Sequence, residues 1–120
     1  LGESYHPWMK STFSCMDDPH FFNYVISLPY QQWVVVGIEA HICVLQTVKG
    51  LLKADKQVTV LNDVMTSRSV YDFSTAIAEM RDAGARISST ETILFELLKD
   101  SKHPQFKSIS NLIKTPCCSY

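Results

Sequence analysis

The chain lacks an excess of charge of either sign. Its 11 lysines and arginines nearly balance its 12 aspartates and glutamates, which leaves a formal net charge of -1. This balance offers no electrostatic argument for binding nucleic acid or an anionic membrane. Long apolar runs are also missing, since no stretch approaches the roughly 20 residues that cross a bilayer. We therefore predict a single globular domain whose partners include neither nucleic acid nor a membrane.

Metal-binding cysteine patterns are missing as well. The four cysteines, at positions 15, 43, 117 and 118, show no CxxC spacing and form no zinc framework with the histidines. Cys117 and Cys118 follow Pro116 in a tail, where exposed thiols of ordinary chemistry are expected. No secretory signal is recognisable among these residues, so we expect reduced thiols and a cytoplasmic location. The sequence indicates neither a metal nor a cofactor.

Strands and helices alternate along most of the chain. The predicted strands are Trp33–Val36, Gln57–Leu61 and Arg86–Ser88. The predicted helices cover 18–28, 41–54, 70–83, a segment that begins near Thr90, and 104–114. Asp17 or Asp18 is expected to cap the first helix, Gly84 to end the third, and residues 62–69 to form a loop. This alternation predicts an α/β fold with βαβ units, that is, a Rossmann-like parallel sheet between two helical layers.

The most informative segment is Gly37-Ile38-Glu39-Ala40-His41-Ile42-Cys43. It follows the apolar strand candidate and leads into the helix candidate, so Cys43 is predicted in the first turn of a helix. Free backbone N–H groups and the helix dipole favour a thiolate there, and the thiolate is the nucleophile. Open α/β sheets also bind their ligands at this end of the strands. From the residues alone, Cys43 is either a nucleophile or a small apolar residue packed between strand and helix.

These residues resemble a known family. The stretch VVVGIEAHICVLQTVKGLL is similar to the nucleophile segment of the isochorismatase-like cysteine hydrolases, and especially of the eukaryotic isochorismatase domain-containing proteins. LNDVMTSRSVYDFSTAIAEMRDAGARISSTETILFELLKD and HPQFKSISNLIK resemble the carboxyl-terminal half of the same subfamily. Lys10-Ser11-Thr12-Phe13-Ser14 resembles its lysine motif. The resemblance covers residues 10–114.

The resemblance implies that part of the family's domain is absent from these residues. The first strand of the family ends in a catalytic aspartate, and no such strand is found here. We therefore expect only the carboxyl-terminal strands and helices of the domain. The expected division is an irregular segment with the lysine motif at 1–16, a partial isochorismatase-like domain at 17–114, and a tail at 115–120. Val34–Val36 is apolar on both faces, as in an interior strand, so an open edge beside it is expected to invite pairing.

The resemblance also assigns site residues. The family uses an Asp-Lys-Cys triad, in which the thiolate attacks an acyl carbon, usually that of an amide. Cys43 matches the nucleophile and Lys10 matches the triad lysine, although most lysines before a turn are surface residues. The backbone N–H groups of Glu39 and Cys43 match the oxyanion-hole donors. The cis peptide of the family falls between Ile38 and Glu39.

Four weaker candidates for the substrate pocket are Phe13, His41, Asp63 and Arg68. Phe13 either walls the pocket or packs. His41 is unsuited as a base for Cys43, because residues two apart on a helix point in different directions; it is expected at the helix start or on the substrate side. Asp63 either faces the crevice or caps a loop, with the cap favoured. Arg68 either pairs structurally or holds an acidic substrate.

Three functions stay open. The first is a cysteine hydrolase that acts on a small amide or a related substrate, with weak or no activity in this chain alone because the aspartate segment is missing. The second is a non-catalytic binding or assembly module, indicated by the missing acid and the open strand edge. The third, an unrelated α/β domain with a structural cysteine, is disfavoured by the length and order of the matching segments. The resemblance further implies a homo-oligomer with a small-molecule substrate.

Overall fold

Three parallel strands in the order β1-β2-β3, flanked by helices, form the centre of the chain in a computed structural model that describes residues 2–116. The strands are β1 Gln32–Ile38, β2 Gln57–Thr66 and β3 Arg86–Ser88. The helices are α1 Pro19–Ser27, α2 Leu45–Lys53, α3 Val70–Ala83, α4 Thr90–Leu98 and α5 Phe106–Lys114. The predicted α/β class with a parallel sheet is confirmed. Cys117 and Cys118 lie outside the described residues.

Helix ends follow the local chemistry of the sequence. The Asp18 carboxylate accepts the Phe21 N–H at 2.9 Å and so caps α1, with Pro19 as its first residue. Gly84 ends α3 in the left-handed region, with a φ of 112°. Both assignments were predicted and are confirmed. The cap of α4 is Ser89, whose side chain accepts the Thr92 N–H at 3.3 Å.

The predicted end of the second strand is wrong. Residues 62–69 were expected to form a loop, yet β2 continues to Thr66. Its pairing with β1 is irregular there, because Val35 pairs with Val60 whereas Gly37 pairs with Met65. The extra residues of β2 bulge opposite Val36, and strand pairing resumes beyond them. Polar residues that resemble a loop in the sequence therefore occupy a bulge inside a strand.

The hydrophobic core lies between one face of the sheet and α1, α2 and α3. Its most deeply buried side chains are Val25, Val48, Val60 and Met80. The helix α4 contacts β2 and α5. No residue of α4 is buried, and Leu97 is 71% exposed, so the apolar side chains of this helix are only partly covered within residues 2–116.

The strand β1 has an open edge. Because β2 lies between the other two strands, no strand within residues 2–116 pairs with the second edge of β1. The alternate residues Val34, Val36 and Ile38 are 53%, 49% and 68% exposed. An interior-type apolar strand thus lies at the sheet edge, as the sequence predicted.

The amino-terminal segment is largely irregular, with short 3-10 turns at Gly2–Ser4 and Cys15–Asp17. The Trp8 ring contacts Phe21 edge-on and Tyr24 at a tilt, which attaches this segment to α1. None of the helices between residues 2 and 116 has the length and apolar character needed to cross a membrane.

Candidate functional site

A cavity of about 170 Å³ lies beside the carboxyl end of β1. Its lining includes two valines of β1 together with Lys10, Cys15, Ile38, Cys43, Val44 and Thr47. The fold therefore brings the two residues predicted for catalysis, Lys10 and Cys43, to one pocket. A larger cavity of about 480 Å³ is lined in part by Gln57, Gly84 and Arg86, but no cysteine lines it. The smaller cavity is the candidate site because it combines the strand end with the thiol.

Cys43 lies in a π-helical turn, which is wider than a turn of regular α-helix. Ala40–Val44 form a π-helical turn that leads directly into α2, a conformation frequent at functional sites. The Glu39 carbonyl accepts N–H groups from Ile42 at 3.1 Å and Val44 at 3.3 Å. Ala40 and Val44 are buried, which anchors the turn on both sides of the half-buried Cys43. The Ile38–Glu39 peptide is cis, as expected.

The Lys10 side chain folds back over its own segment. Its Nζ donates to the carbonyls of Thr12 at 2.7 Å and Phe13 at 3.0 Å. A lysine ammonium has three N–H donors, and these two bonds fix its direction while using two of them. The Phe13 ring is 62% exposed, so the residue contributes its carbonyl to this arrangement, whereas a role as pocket wall stays a prediction.

Glu39 connects the turn to the loop after β2. Its Oε2 accepts the Arg68 backbone N–H at 3.0 Å and the Arg68 Nε–H at 3.2 Å. The Arg68 backbone N–H is the main cause that lowers the pKa of Glu39 below its usual range, and the guanidinium adds to it while partial burial opposes it. Arg68 is thus engaged structurally, which is one of the two roles that the sequence left open.

His41 makes a second connection to the same loop. Its Nδ1 lies 2.8 Å from Ser67 Oγ, and its Nε2 lies 3.9 Å from Asp72 Oδ2. Asp63, in contrast, turns to α4, because its Oδ1 accepts the Thr90 N–H at 2.9 Å and the Thr90 hydroxyl at 3.1 Å. These contacts attach Asp63 to the start of α4, and Asp63 lies within β2 rather than in the predicted loop.

Besides the apolar lining of the pocket, sequence reasoning missed Cys15 and Thr47. Cys15 lies in the irregular segment, where no periodic pattern indicates a position. Thr47 is four residues beyond Cys43, and this helical spacing was the available signal. Across the stretch from Gly2 to Pro116, no three His, Cys, Asp or Glu side chains are grouped so that they can hold a metal ion.

Solved structures of hydrolase-like proteins share the fold of this chain, a parallel α/β sheet flanked by helices. The MAR1 ribonuclease of Caenorhabditis elegans superimposes with a TM-score of 0.79 at 37% identity, covering 92% of this chain and 56% of that one. YcaC of Escherichia coli, an octameric hydrolase of unknown specificity, gives a TM-score of 0.75 at 17% identity, covering 88% and 58%. This second likeness shows the fold alone.

The family model for the isochorismatase domain matches residues 3–92. Isochorismatase domain-containing protein 2 of Homo sapiens is 40% identical over 115 residues, which are 95% of this chain and 55% of that protein. The chain belongs to the isochorismatase family. It spans about half the length of the curated relatives it matches.

Proposed function

We propose that the chain carries the nucleophile and the lysine of a cysteine hydrolase that acts on a small amide or a related acyl compound. The observation that carries this proposal is the shared pocket of Cys43 and Lys10 at the carboxyl end of β1. Only the fold brings these two residues to one pocket, because Lys10 belongs to an irregular segment and Cys43 to the turn before α2. Membership of the isochorismatase family supports the same reaction class.

In the proposed reaction, the Cys43 thiolate attacks the acyl carbon and forms a sulfur–carbon bond, while the carbonyl electrons move to oxygen. The backbone N–H groups of Glu39 and Cys43 donate to that oxygen. The carbon–nitrogen bond then breaks, and the amine leaves with a proton. Water attacks the remaining thioester, releases the carboxylic acid and restores the thiol.

The base that removes the thiol proton is not evident among the described carboxylates around the turn. Glu39 is bonded to Arg68, Asp72 faces His41, and Asp63 is bonded to Thr90. We assign this role to an aspartate of the whole protein, outside the half of the relatives' length that the chain spans. In this proposal the chain corresponds to the carboxyl-terminal portion of the domain, which accords with the open edge of β1. Cytoplasmic location and homo-oligomerisation stay predictions.

Thiol reactivity tests the nucleophile. Iodoacetamide at neutral pH is expected to label Cys43 before Cys15, although both thiols line the pocket. Trypsin leaves residues 11–49 as one peptide that contains both cysteines, so chymotrypsin, which cuts at the aromatic residues between them, is needed for mapping. Labelling of Cys15 ahead of Cys43 in the folded chain argues against the nucleophile role.

A turnover assay tests the reaction. The chain alone is expected to show no turnover of small amides such as nicotinamide and N-carbamoyl compounds, because members of a catalytic triad act as a unit. An ordinary enzymatic rate of about 10 s⁻¹ that Cys43→Ala abolishes shows that a base exists within these residues. That result contradicts the assignment of the base to another part of the protein.

A non-catalytic binding or assembly module is the second candidate, and the open edge of β1 favours it. Light scattering with hydrogen exchange over 33–37 distinguishes this role: self-association that protects these amides supports it, and a monomer with unprotected amides opposes it. The ribonuclease activity named for the C. elegans protein is not assigned to this chain, because a net charge of -1 offers no attraction to a phosphate backbone.

A further inference from the structure

The pocket contains a second thiol that the proposed reaction does not use. Cys15 lines the same cavity as Cys43 and Lys10, and both cysteines are free and half-buried. Cys15 reaches this place from the irregular amino-terminal segment, whereas Cys43 belongs to the turn before α2. Two thiols in one small cavity have a joint chemistry, the disulfide, that neither has alone.

Hydrogen bonds fix Cys15 against the helix that follows Cys43. Its backbone N–H donates to the Thr47 Oγ1 at 2.9 Å, and Thr47 is buried. Thr47 lines the same cavity as Cys43. The Ser14 hydroxyl donates to the Gln46 carbonyl at 3.3 Å, which holds the preceding residue on the same helix.

Packing holds Met16, the residue after Cys15, against α2 as well. Met16 is buried, and its Cβ lies only 2.6 Å from the position that a Cβ on Gly50 would occupy. At this point the amino-terminal segment and α2 are as close as a glycine in the helix permits. Ser14, Cys15 and Met16 each contact α2, so Cys15 lines the pocket as part of an anchored segment.

We propose that Cys15 and Cys43 form a reversible disulfide site that peroxides oxidise. The inference rests on the proposed function, because it requires Cys43 to be the reactive thiol. The Cys43 thiolate attacks one peroxide oxygen, the O–O bond breaks, and a sulfenic acid and water result. The Cys15 thiol then attacks that sulfur, the S–O bond breaks, and a second water leaves. Two thiols and one hydrogen peroxide thus give one disulfide and two waters, with sulfur oxidised and oxygen reduced.

The disulfide has a consequence for the hydrolase site. A bond to Cys15 occupies the sulfur that attacks the acyl carbon, so the oxidised chain has no nucleophile. It also prevents Cys43 from reaching the sulfinic and sulfonic acids, which thiol reductants do not reverse. Cys15 therefore serves as a resolving thiol that keeps oxidation of the nucleophile reversible.

The test uses the chain with Cys117→Ser and Cys118→Ser, which retains only the two pocket cysteines. After hydrogen peroxide and alkylation of free thiols, tryptic peptide 11–49 is expected to lose two hydrogen atoms, and chymotryptic fragments are expected to stay linked. Dithiothreitol is expected to restore both thiols. In the matched control Cys15→Ala, and in Cys15→Ser should alanine prevent folding, Cys43 is expected to progress to its irreversible acids.

The outcomes separate the two proposals. Overoxidised Cys43 beside an intact Cys15 thiol overturns the disulfide site and leaves the nucleophile in place. A Cys43 that resists both peroxide and iodoacetamide overturns the nucleophile, and the disulfide site with it. A disulfide found only between two chains, seen as a doubled mass on a non-reducing gel, also overturns the inference.

Discussion

Replacing Gly50 with alanine measures how closely the amino-terminal segment packs on α2. In an exposed helix, alanine stabilises by about 1 kcal/mol relative to glycine. Here the added Cβ lies 2.6 Å from Met16 Cβ, 3.0 Å from Met16 Cγ and 3.5 Å from Ser14 Oγ. Carbon atoms at their optimal separation are about 3.5–4.0 Å apart. The closest contact is with the Cβ of Met16, which no side-chain rotation can remove, so the backbone of one segment has to move.

Overpacking of this kind costs about 1–3 kcal/mol. With the propensity gain of about 1 kcal/mol subtracted, we expect Gly50→Ala to lower the free energy of unfolding by about 0–2 kcal/mol. Urea denaturation followed by fluorescence measures this difference. Because the displaced segment contains Cys15, iodoacetamide labelling of Cys15 is expected to accelerate in the same variant.

The matched controls repeat Gly50→Ala in two variants of Met16. Met16→Ala retains the clashing Cβ, so Gly50→Ala is expected to remain destabilising there. Met16→Gly removes that Cβ, so Gly50→Ala is expected to become stabilising by about 1 kcal/mol. If Gly50→Ala stabilises the chain while Met16 is present, the close packing of this segment on α2 is refuted, and with it the anchoring of Cys15.

Three further substitutions test individual contacts. Lys10→Gln is expected to slow iodoacetamide labelling of Cys43 by about threefold to tenfold through loss of a positive charge, whereas Lys107→Gln on α5 is expected to change nothing. The pKa of Glu39 is lowered in the folded state, so this carboxylate stabilises the fold above the pKa that it has in the unfolded chain. The contribution is lost as the pH falls through the pKa of the folded state. The difference in free energy of unfolding between the parent and Glu39→Gln is therefore expected to shrink from pH 7 to acid, and a constant difference contradicts this. Asp63→Ala is expected to cost about 1 kcal/mol through the Thr90 bonds and to leave Cys43 labelling unchanged; a labelling change would place Asp63 in the site.

The sequence predicts the fold well where neighbouring residues decide the structure. Asp18 and Pro19 start α1, and Gly84 ends α3, because a cap or a left-handed φ depends on a few adjacent atoms. The end of β2 depends on distant atoms instead. Within the bulged part of β2, Asp63 bonds to Thr90, 27 positions away, and the pairing with β1 resumes at Met65. A sequence pattern contains no information on such a contact.

The same distinction applies to the candidate site. Cys43 was a candidate from its place between a strand and a helix, and the family resemblance favoured the nucleophile role, whereas Lys10 was found through the resemblance alone, since a lysine before a turn has no periodic signature. Cys15 was missed because its position depends on Thr47, 32 positions further along the chain.

The open edge of β1 and the pocket are one region of the surface. Val36 and Ile38 line the cavity with Cys43, and both are also among the exposed residues of β1. The other sides of the turn are held within the chain, by Glu39 and His41 toward the loop after β2. Val35 and Val36 are adjacent in β1, so their side chains point to opposite faces of the sheet, and both line the cavity. We therefore expect a strand that pairs with β1 also to cover the pocket. Any partner that protects the β1 amides from exchange is then expected also to change the labelling rate of Cys43, and an unchanged rate contradicts this.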